Sequence, residues 1–294
     1  MLIAVAGSQG LIGSALVDAL TSAGHTVRRL VRREASGPND FSWDPETFGV
    51  PPEALDGVDA VVSLGGVGVG NARWSGRFKQ ELRDSRIPPT QVIAEAVTAA
   101  AVPVFLSASA TGFYGDTGDR IVTEADGPGT GFLSELTIDW EAAALEGTGA
   151  DTRVVVLRTA PVLAPQGGIL AKLRPLFKLG LGGSIGNGRQ YFSWISLVDQ
   201  VRAIEFLLSA PVSGPVNLCA PSAIHFSTFV DALARTLHRP TLLSVPAFAA
   251  RAAGGEMVEE MVLASQRVAP GVLTDNEFAF THATIAPALE YACG

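Results

Sequence analysis

The sequence predicts an α/β protein in which a doubly wound parallel sheet carries a second, smaller α+β lobe towards the C-terminus. Three observations carry that expectation. Short apolar runs at 2–6, 26–31, 60–64, 104–107 and 153–158 alternate with stretches of helical spacing, the order that a parallel sheet with crossover helices requires. The first run ends in a corner with glycines at positions 7, 10 and 13. From about Pro165 the texture changes, and Gly167, Gly168, Gly180, Gly182, Gly183, Gly186 and Gly188 make a segment too glycine-rich for another regular strand and helix.

The first element, Leu2–Ala6, is long enough for one buried parallel strand, and Ile12, Leu16, Ala19, Leu20 and Ala23 then recur at helical spacing. Glycines therefore fill a strand-to-helix corner. A diphosphate seated against the first unpaired N–H groups of a helix needs such a corner, because a Cβ at Gly7 or Gly10 would block its approach, while Gly13 lets the helix pack closely on the strand. A structural turn is the alternative. On the binding reading, Gly7, Gly10, Leu11, Ile12 and Gly13 hold a dinucleotide.

The second strand runs straight into Arg32 and Arg33. About 20 residues beyond the glycines, where a carboxylate would meet the ribose of NAD, two guanidiniums stand instead, suited to the 2′-phosphate of NADP. Arg32, nearer the strand end, is the stronger candidate, and a solvated pair that touches nothing is the alternative. Leu64 ends the third strand, Gly65 and Gly66 follow it and Ser107 ends the fourth, positions where parallel sheets receive ligands. Gly65 and Gly66 also suit a plain tight turn.

Helices are expected at 77–86, 90–101 and 131–145, with the last two covering the sheet. The stretch 169–178, set between Gly168 and Gly180, reads as inserted substrate-side structure. A strand at 191–195 and a helix at 198–208 return the chain to the first domain, which makes the smaller lobe discontinuous. The first domain is thus expected to be 1–165 with 190–216, and the lobe 166–189 with 217–294. In the lobe, helices at 226–237 and 284–292, a strand at 241–245 and helical material up to Ser265 build a modest cap.

Composition narrows the partners. The chain has 294 residues, 47% of them hydrophobic, and a net charge of −8, with an isoelectric point near 5.0 and a mean hydropathy of +0.30. No basic run exceeds two residues, so the attraction that nucleic acid or an anionic membrane needs is missing. The uncharged stretch 96–115 contains Pro103 and several hydroxyls, and reads as α/β interior and not as a bilayer span. The apolar start lacks the basic leading region of a signal peptide, so the cytoplasm is the expected compartment. Cys219 and Cys293 stand apart, as do His25, His225, His238 and His282, so no metal site is expected.

Taken together, Gly7, Gly10 and Gly13, the run Ser107-Ala108-Ser109-Ala110-Thr111-Gly112-Phe113-Tyr114-Gly115, Leu157-Arg158-Thr159, the segment 180–188 and Tyr191-Phe192-Ser193-Trp194-Ile195 resemble an atypical extended short-chain dehydrogenase/reductase of the epimerase family. The match is best to an epimerase-like branch with a distinctive C-terminal domain, often labelled cell-division-inhibitor-like, and it covers essentially the whole chain. The resemblance implies a Rossmann sheet, NADP (NADPH) as cofactor and a substrate-facing serine at Ser109. It also implies that the loop holding Arg189 faces cofactor or substrate.

The chain departs from that family at the catalytic base. The wider family places a tyrosine, followed four residues later by lysine, on the helix after the serine run. Here the tyrosines are Tyr114, Tyr191 and Tyr291, the lysines are Lys79, Lys172 and Lys178, and the expected helix offers Leu136 and Trp140. An unperturbed phenol, with a pKa of about 10, is barely ionised at neutral pH, and a neighbouring cation is what lowers it. Ser109 and Tyr114 are the remaining catalytic candidates, with a capping role and an interior wall as their alternatives. Arg158, a candidate cofactor contact, could orient a phosphate or a carboxylate or form a buried salt bridge, and Arg189 could meet an anion or sit in solvent. Two functions follow. One is an NADP-dependent, epimerase-like oxidoreductase acting on a small hydroxyl- or carbonyl-bearing molecule. The other is a non-catalytic, NADP-dependent regulatory or binding protein. Substrate and oligomeric state stay open.

Overall fold

The computed structural model describes residues 1–180, 182–241 and 243–294; Leu181, in the glycine-rich segment, and Leu242, in the strand expected at 241–245, lie outside the described residues. Five strands and four helices build the first half: β1 (Leu2–Ala6), α1 (Leu11–Ser22), β2 (Thr26–Val31), β3 (Asp40–Ser42), β4 (Ala60–Ser63), α2 (Gly76–Asp84), α3 (Ile87–Ala99), β5 (Val104–Ala110) and α4 (Phe132–Glu146). There follow β6 (Arg153–Thr159), β7 (Val162–Leu163), α5 (Gly168–Lys178), β8 (Gly183–Ile185), β9 (Tyr191–Phe192), β10 (Ile195–Ser196), α6 (Leu197–Ser209) and β11 (Gly214–Leu218). The chain ends with β12 (Ile224–His225), α7 (Phe226–Thr236), β13 (Leu243–Val245), α8 (Ala247–Gly254), several short turns of helix and a closing helix at Ile285–Cys293.

Seven strands form one sheet in the order β11-β6-β5-β4-β1-β2-β3. β1 pairs in parallel with both β2 and β4, β2 with β3, and β4 with β5. This is the doubly wound α/β class that the alternating runs predict, with β1 inside the sheet and the order reversing around it. Two strands of this sheet escape the sequence pattern: β3 is only three residues long, and β11 contains Gly214, Pro215 and Asn217.

The helices shift in instructive ways. α3 begins at Ile87, three residues before the expected start, because Pro88 and Pro89 occupy its first turn, where a missing N–H costs nothing. β5 continues through Ser109 to Ala110, so the two serines of the serine run stand on a strand, two residues apart and on one face. The expected strand at 191–195 is split: β9 pairs antiparallel with β12, and β10 pairs in parallel with β7.

The chain divides into two compact units, 1–109 with 136–157 and 201–215, and 110–135 with 158–200 and 216–294. The sequence alone places 110–135, 158–165, 190–200 and Val216 with the first domain, so the expected return of the chain at 191–195 falls in the second unit and only 201–215 of it in the first. In the structure the segment after β5 instead shares hydrogen bonds with the C-terminal residues: the N–H of Thr117 donates to the Ser265 carbonyl at 2.7 Å and that of Val122 to the Arg267 carbonyl at 3.0 Å. The first unit has a core of Ala4, Leu30, Trp43, Val61, Ile93 and Phe105. In the second, Trp194, Phe192, Phe226, Phe229, Leu233 and Leu289 form the main cluster. Among the described residues no helix is long and apolar enough to cross a membrane.

Candidate functional site

The glycine corner separates into three distinct roles. Gly7 has φ +76°, and a Cβ there would lie 2.8 Å from the Leu64 carbonyl carbon. A Cβ on Gly13 would lie 2.1 Å from the Gly7 carbonyl oxygen. Both glycines are therefore required by the chain's own packing. Gly10 differs: the nearest atom to its Cβ would be the Gly7 oxygen at 3.3 Å, and its open side lines a cleft. Gly10 also caps α1 without any side-chain hydrogen bond, and the first turn holds no acidic residue. The N–H groups of Leu11, Ile12 and Gly13 thus present the positive end of α1, which suits a phosphate.

The cleft measures about 300 Å³ and lies wholly in the first unit, walled by 6–10 of the glycine corner, Arg32 at the end of β2, Trp43, Gly65, Arg86 and Thr90. Ser8, also in its wall, is buried with a hydroxyl that has no hydrogen-bond partner, and so is Ser107. Buried polar atoms are nearly always paired, so an orphan at a cleft wall suits a ligand oxygen. Ser107 sits opposite Ser63 in the β4–β5 register.

The two arginines that the sequence presents as a pair are sorted by one carboxylate. Asp40, on β3 with a fully buried side chain, is held 2.6 Å from Arg29 and 2.8 Å from Arg33. Arg33 also donates to Ser36 Oγ at 2.9 Å and to the Glu34 carbonyl at 2.7 Å, and with the Gln9 amide turned to satisfy both groups its Nε reaches Gln9 at 2.9 Å. Burial pushes the Asp40 carboxyl up, but the hydrogen bonds from Arg33 and Ser36 and the charge of Arg29 outweigh it and hold the group below its usual 3.8. Arg32 is left lining the cleft, its guanidinium 5.3 Å from the Trp43 ring centre. Asp40 and Trp43 escape sequence reading because a three-residue strand shows no periodicity.

Ser109 is buried and donates to Glu141 Oε1 on α4 at 2.6 Å. One residue before Glu141, Trp140 donates from Nε1 to Thr90 Oγ1 at 2.8 Å. Glu141 is not among the residues that the sequence alone marks, since the family pattern on that helix is a tyrosine and a lysine. Its signal was a carboxylate amid the apolar residues of a helix expected to cover the sheet.

The second unit holds the other candidates. Tyr114 is buried, donates to Asn217 Oδ1 at 2.8 Å and accepts from Arg158 Nη1 at 2.9 Å. Burial pushes its phenol up to about 12, although Arg158 and the Asn217 hydrogen bond pull the other way. Arg158 is itself buried, with its guanidinium 3.5 Å from the Phe113 ring centre. The structure thus unites Tyr114 and Arg158 in one internal network. Arg189 is exposed, and its backbone N–H is turned to Asn187 Oδ1 at 3.0 Å. A second cavity, of about 250 Å³, is lined by Gly112, Thr130, Gly131, Glu260 and Gln266 among others. Its Glu260 carboxylate accepts the first N–H groups of α4, Phe132 and Leu133, each at 2.8 Å. That contact spans more than a hundred residues and has no local sequence signal.

Known proteins share this architecture. Residues 3–219 match the model of the NAD dependent epimerase/dehydratase family, and 245–292 match a domain of unknown function, DUF1731. An epimerase family protein of Mycobacterium tuberculosis is 50% identical over 291 residues, covering 99% of this chain and 97% of its own length. The human epimerase family protein SDR39U1 is 34% identical over 276 residues, 92% of each chain. Among solved structures, human SDR39U1 (isoform 2), crystallised with NADPH, superposes with a TM-score of 0.91 at 30% identity over 100% of this chain and 99% of that one. A nucleoside-diphosphate sugar epimerase of Corynebacterium glutamicum gives 0.83 at 34% identity, with 100% of this chain covering 58% of that one. The chain belongs to the NAD dependent epimerase/dehydratase family.

Proposed function

We propose that this protein binds NADP(H) in the cleft of its first unit and acts as an epimerase-like oxidoreductase on a small hydroxyl- or carbonyl-bearing substrate. The observation that carries this reading is the uncapped N-terminus of α1 beneath Gly10, opening onto a cleft that also receives Arg32. The NADPH of the human relative's crystal structure supports it. The first amides of α1 hold the diphosphate, Arg32 backed by Trp43 meets the 2′-phosphate, and the Ser8 hydroxyl gains a ligand oxygen. Bound there, the nicotinamide supplies hydride chemistry at a carbon bearing oxygen.

Ser109 supplies the protein's side of that chemistry. Its own hydrogen is committed to Glu141 Oε1, so towards a substrate Oγ acts as an acceptor and suits a hydroxyl. A proton leaving that hydroxyl passes to Ser109 Oγ as the serine's own proton moves to Glu141. Ser109 and Glu141 thereby take the place of the missing tyrosine and lysine.

One observation favours the second reading, a non-catalytic NADP-dependent binding protein: Tyr114 is sealed between Arg158 and Asn217 and is held protonated far above neutral pH. Following nicotinamide absorbance at about 340 nm with nucleotide sugars, aldehydes and quinones, alongside cofactor binding by fluorescence, separates the two. Turnover that survives Tyr114→Phe and is lost in Ser109→Ala supports the oxidoreductase. Tight cofactor binding without any turnover supports the binding protein.

A further inference from the structure

Arg86 is the N-cap residue of α3, nearly buried, and its side chain forms part of the cleft wall. It donates to the Val67 carbonyl at 2.7 Å, to Ser85 Oγ at 3.1 Å and to the Leu82 carbonyl at 3.2 Å. These use at most three of its five N–H donors. Its guanidinium lies flush under Gly66, where a Cβ would come within 3.0 Å of Cζ, and 5.1 Å from the Trp140 ring centre. Among the described residues it makes no ion pair, and burial alone pulls its pKa down to about 10. A buried guanidinium is normally matched by a carboxylate or a ligand anion, and the face of an indole compensates only part of its desolvation.

We infer that Arg86 is an anion-binding residue of the cleft, whose unmatched charge and remaining N–H donors are completed by the diphosphate of the bound dinucleotide, opposite the amides of α1. This rests on the cofactor reading above and adds a second cationic contact, distinct from Arg32. Through the Val67 carbonyl the same side chain ties the loop after β4 to the ligand. Anion binding and loop position are thus coupled at one residue.

Titration calorimetry of the full-length protein tests this with NADPH, NADH, ADP, adenosine and inorganic pyrophosphate, on wild type and Arg86→Met. Arg86→Met is expected to weaken NADPH, NADH and ADP by a common factor of about 10 to 100, the range for hydrogen bonds to charged groups. Adenosine binding stays the same and so does the NADPH to NADH ratio, because Arg32 governs the latter. The apo variant melts at or above the wild-type temperature, since an unmatched buried charge has gone. Wild-type affinity for NADPH and ADP in the variant, with a lowered apo melting temperature, overturns the inference and makes Arg86 a loop scaffold. If Arg86→Met does not fold, Arg86→Gln, which can still donate to Val67 but carries no charge, bears the same comparison. A wild type that fails to bind NADPH sinks the cofactor reading instead. Pyrophosphate then still tests Arg86, through binding to wild type and loss in the variant, and its equal binding to both overturns the inference.

Discussion

Ser109 donates its hydroxyl hydrogen to Glu141 across 2.6 Å, from the end of β5 to the middle of α4, with both side chains buried. A buried carboxylate that loses such a donor has one charge-assisted hydrogen bond fewer to offset its desolvation. Ser109→Ala is therefore expected to destabilise the protein by about 1–3 kcal/mol in urea unfolding, with cofactor affinity unchanged. In the turnover assay it lowers the rate constant and leaves cofactor dissociation alone. An unchanged rate would show that the serine only satisfies Glu141.

Asp40 sorts the arginines, so the two substitutions that look equivalent in sequence are expected to behave differently. Arg32→Ala removes the cation that lines the cleft and brings an NADPH preference of at least about tenfold, or about 1.4 kcal/mol, down to parity with NADH. Arg33→Ala keeps most of that preference and instead lowers the melting temperature, because buried Asp40 loses one of its two cations and keeps Arg29 and the Ser36 hydrogen bonds. Paired titrations of both cofactors into each variant distinguish them.

The same carboxylate gives a pH signature. Its folded pKa lies below the unfolded value of 3.8, so the stability it contributes is fully present above that value and is lost as the pH falls through the folded pKa. Asp40→Asn is expected to be less stable than wild type at neutral pH, with the gap closing between about pH 5 and pH 2. A gap that stays constant across that window would mean the Asp40 charge contributes nothing.

How much of this was legible follows from how local each feature is. The β1–α1 corner is contiguous and its glycines are forced by contacts a few residues apart, so strand, helix and candidate phosphate site could be read directly. Arg32 was visible for the same reason, since it follows β2 without interruption. The Ser109 and Glu141 pair is separated by 32 residues and depends on how α4 lies over the sheet. Arg86 looked like the polar end of one helix, whereas it caps the next. The run Tyr191 to Ile195 has the composition of one strand, yet its ends pair with different partners, which no period within five residues can reveal. Glycine positions carried two meanings at once. Gly7 and Gly10 look alike in sequence, and it takes the positive φ of Gly7 and the Leu64 backbone beside it to separate a packing glycine from a ligand glycine.

That distinction yields the most direct test of the account, which is NADPH titration into wild type and Gly10→Val, with Gly13→Ala as the folding control. Gly13→Ala drives its Cβ within 2.1 Å of the Gly7 oxygen and is expected to unfold or misfold the corner, whereas a Cβ at Gly10, a residue that lines the cleft, meets the Gly7 oxygen at 3.3 Å, a contact relieved by a shift of a few tenths of an ångström. The Gly10→Val protein is expected to keep wild-type circular dichroism and a near wild-type melting temperature and to lose NADPH binding. Unchanged NADPH affinity in that folded variant would contradict it.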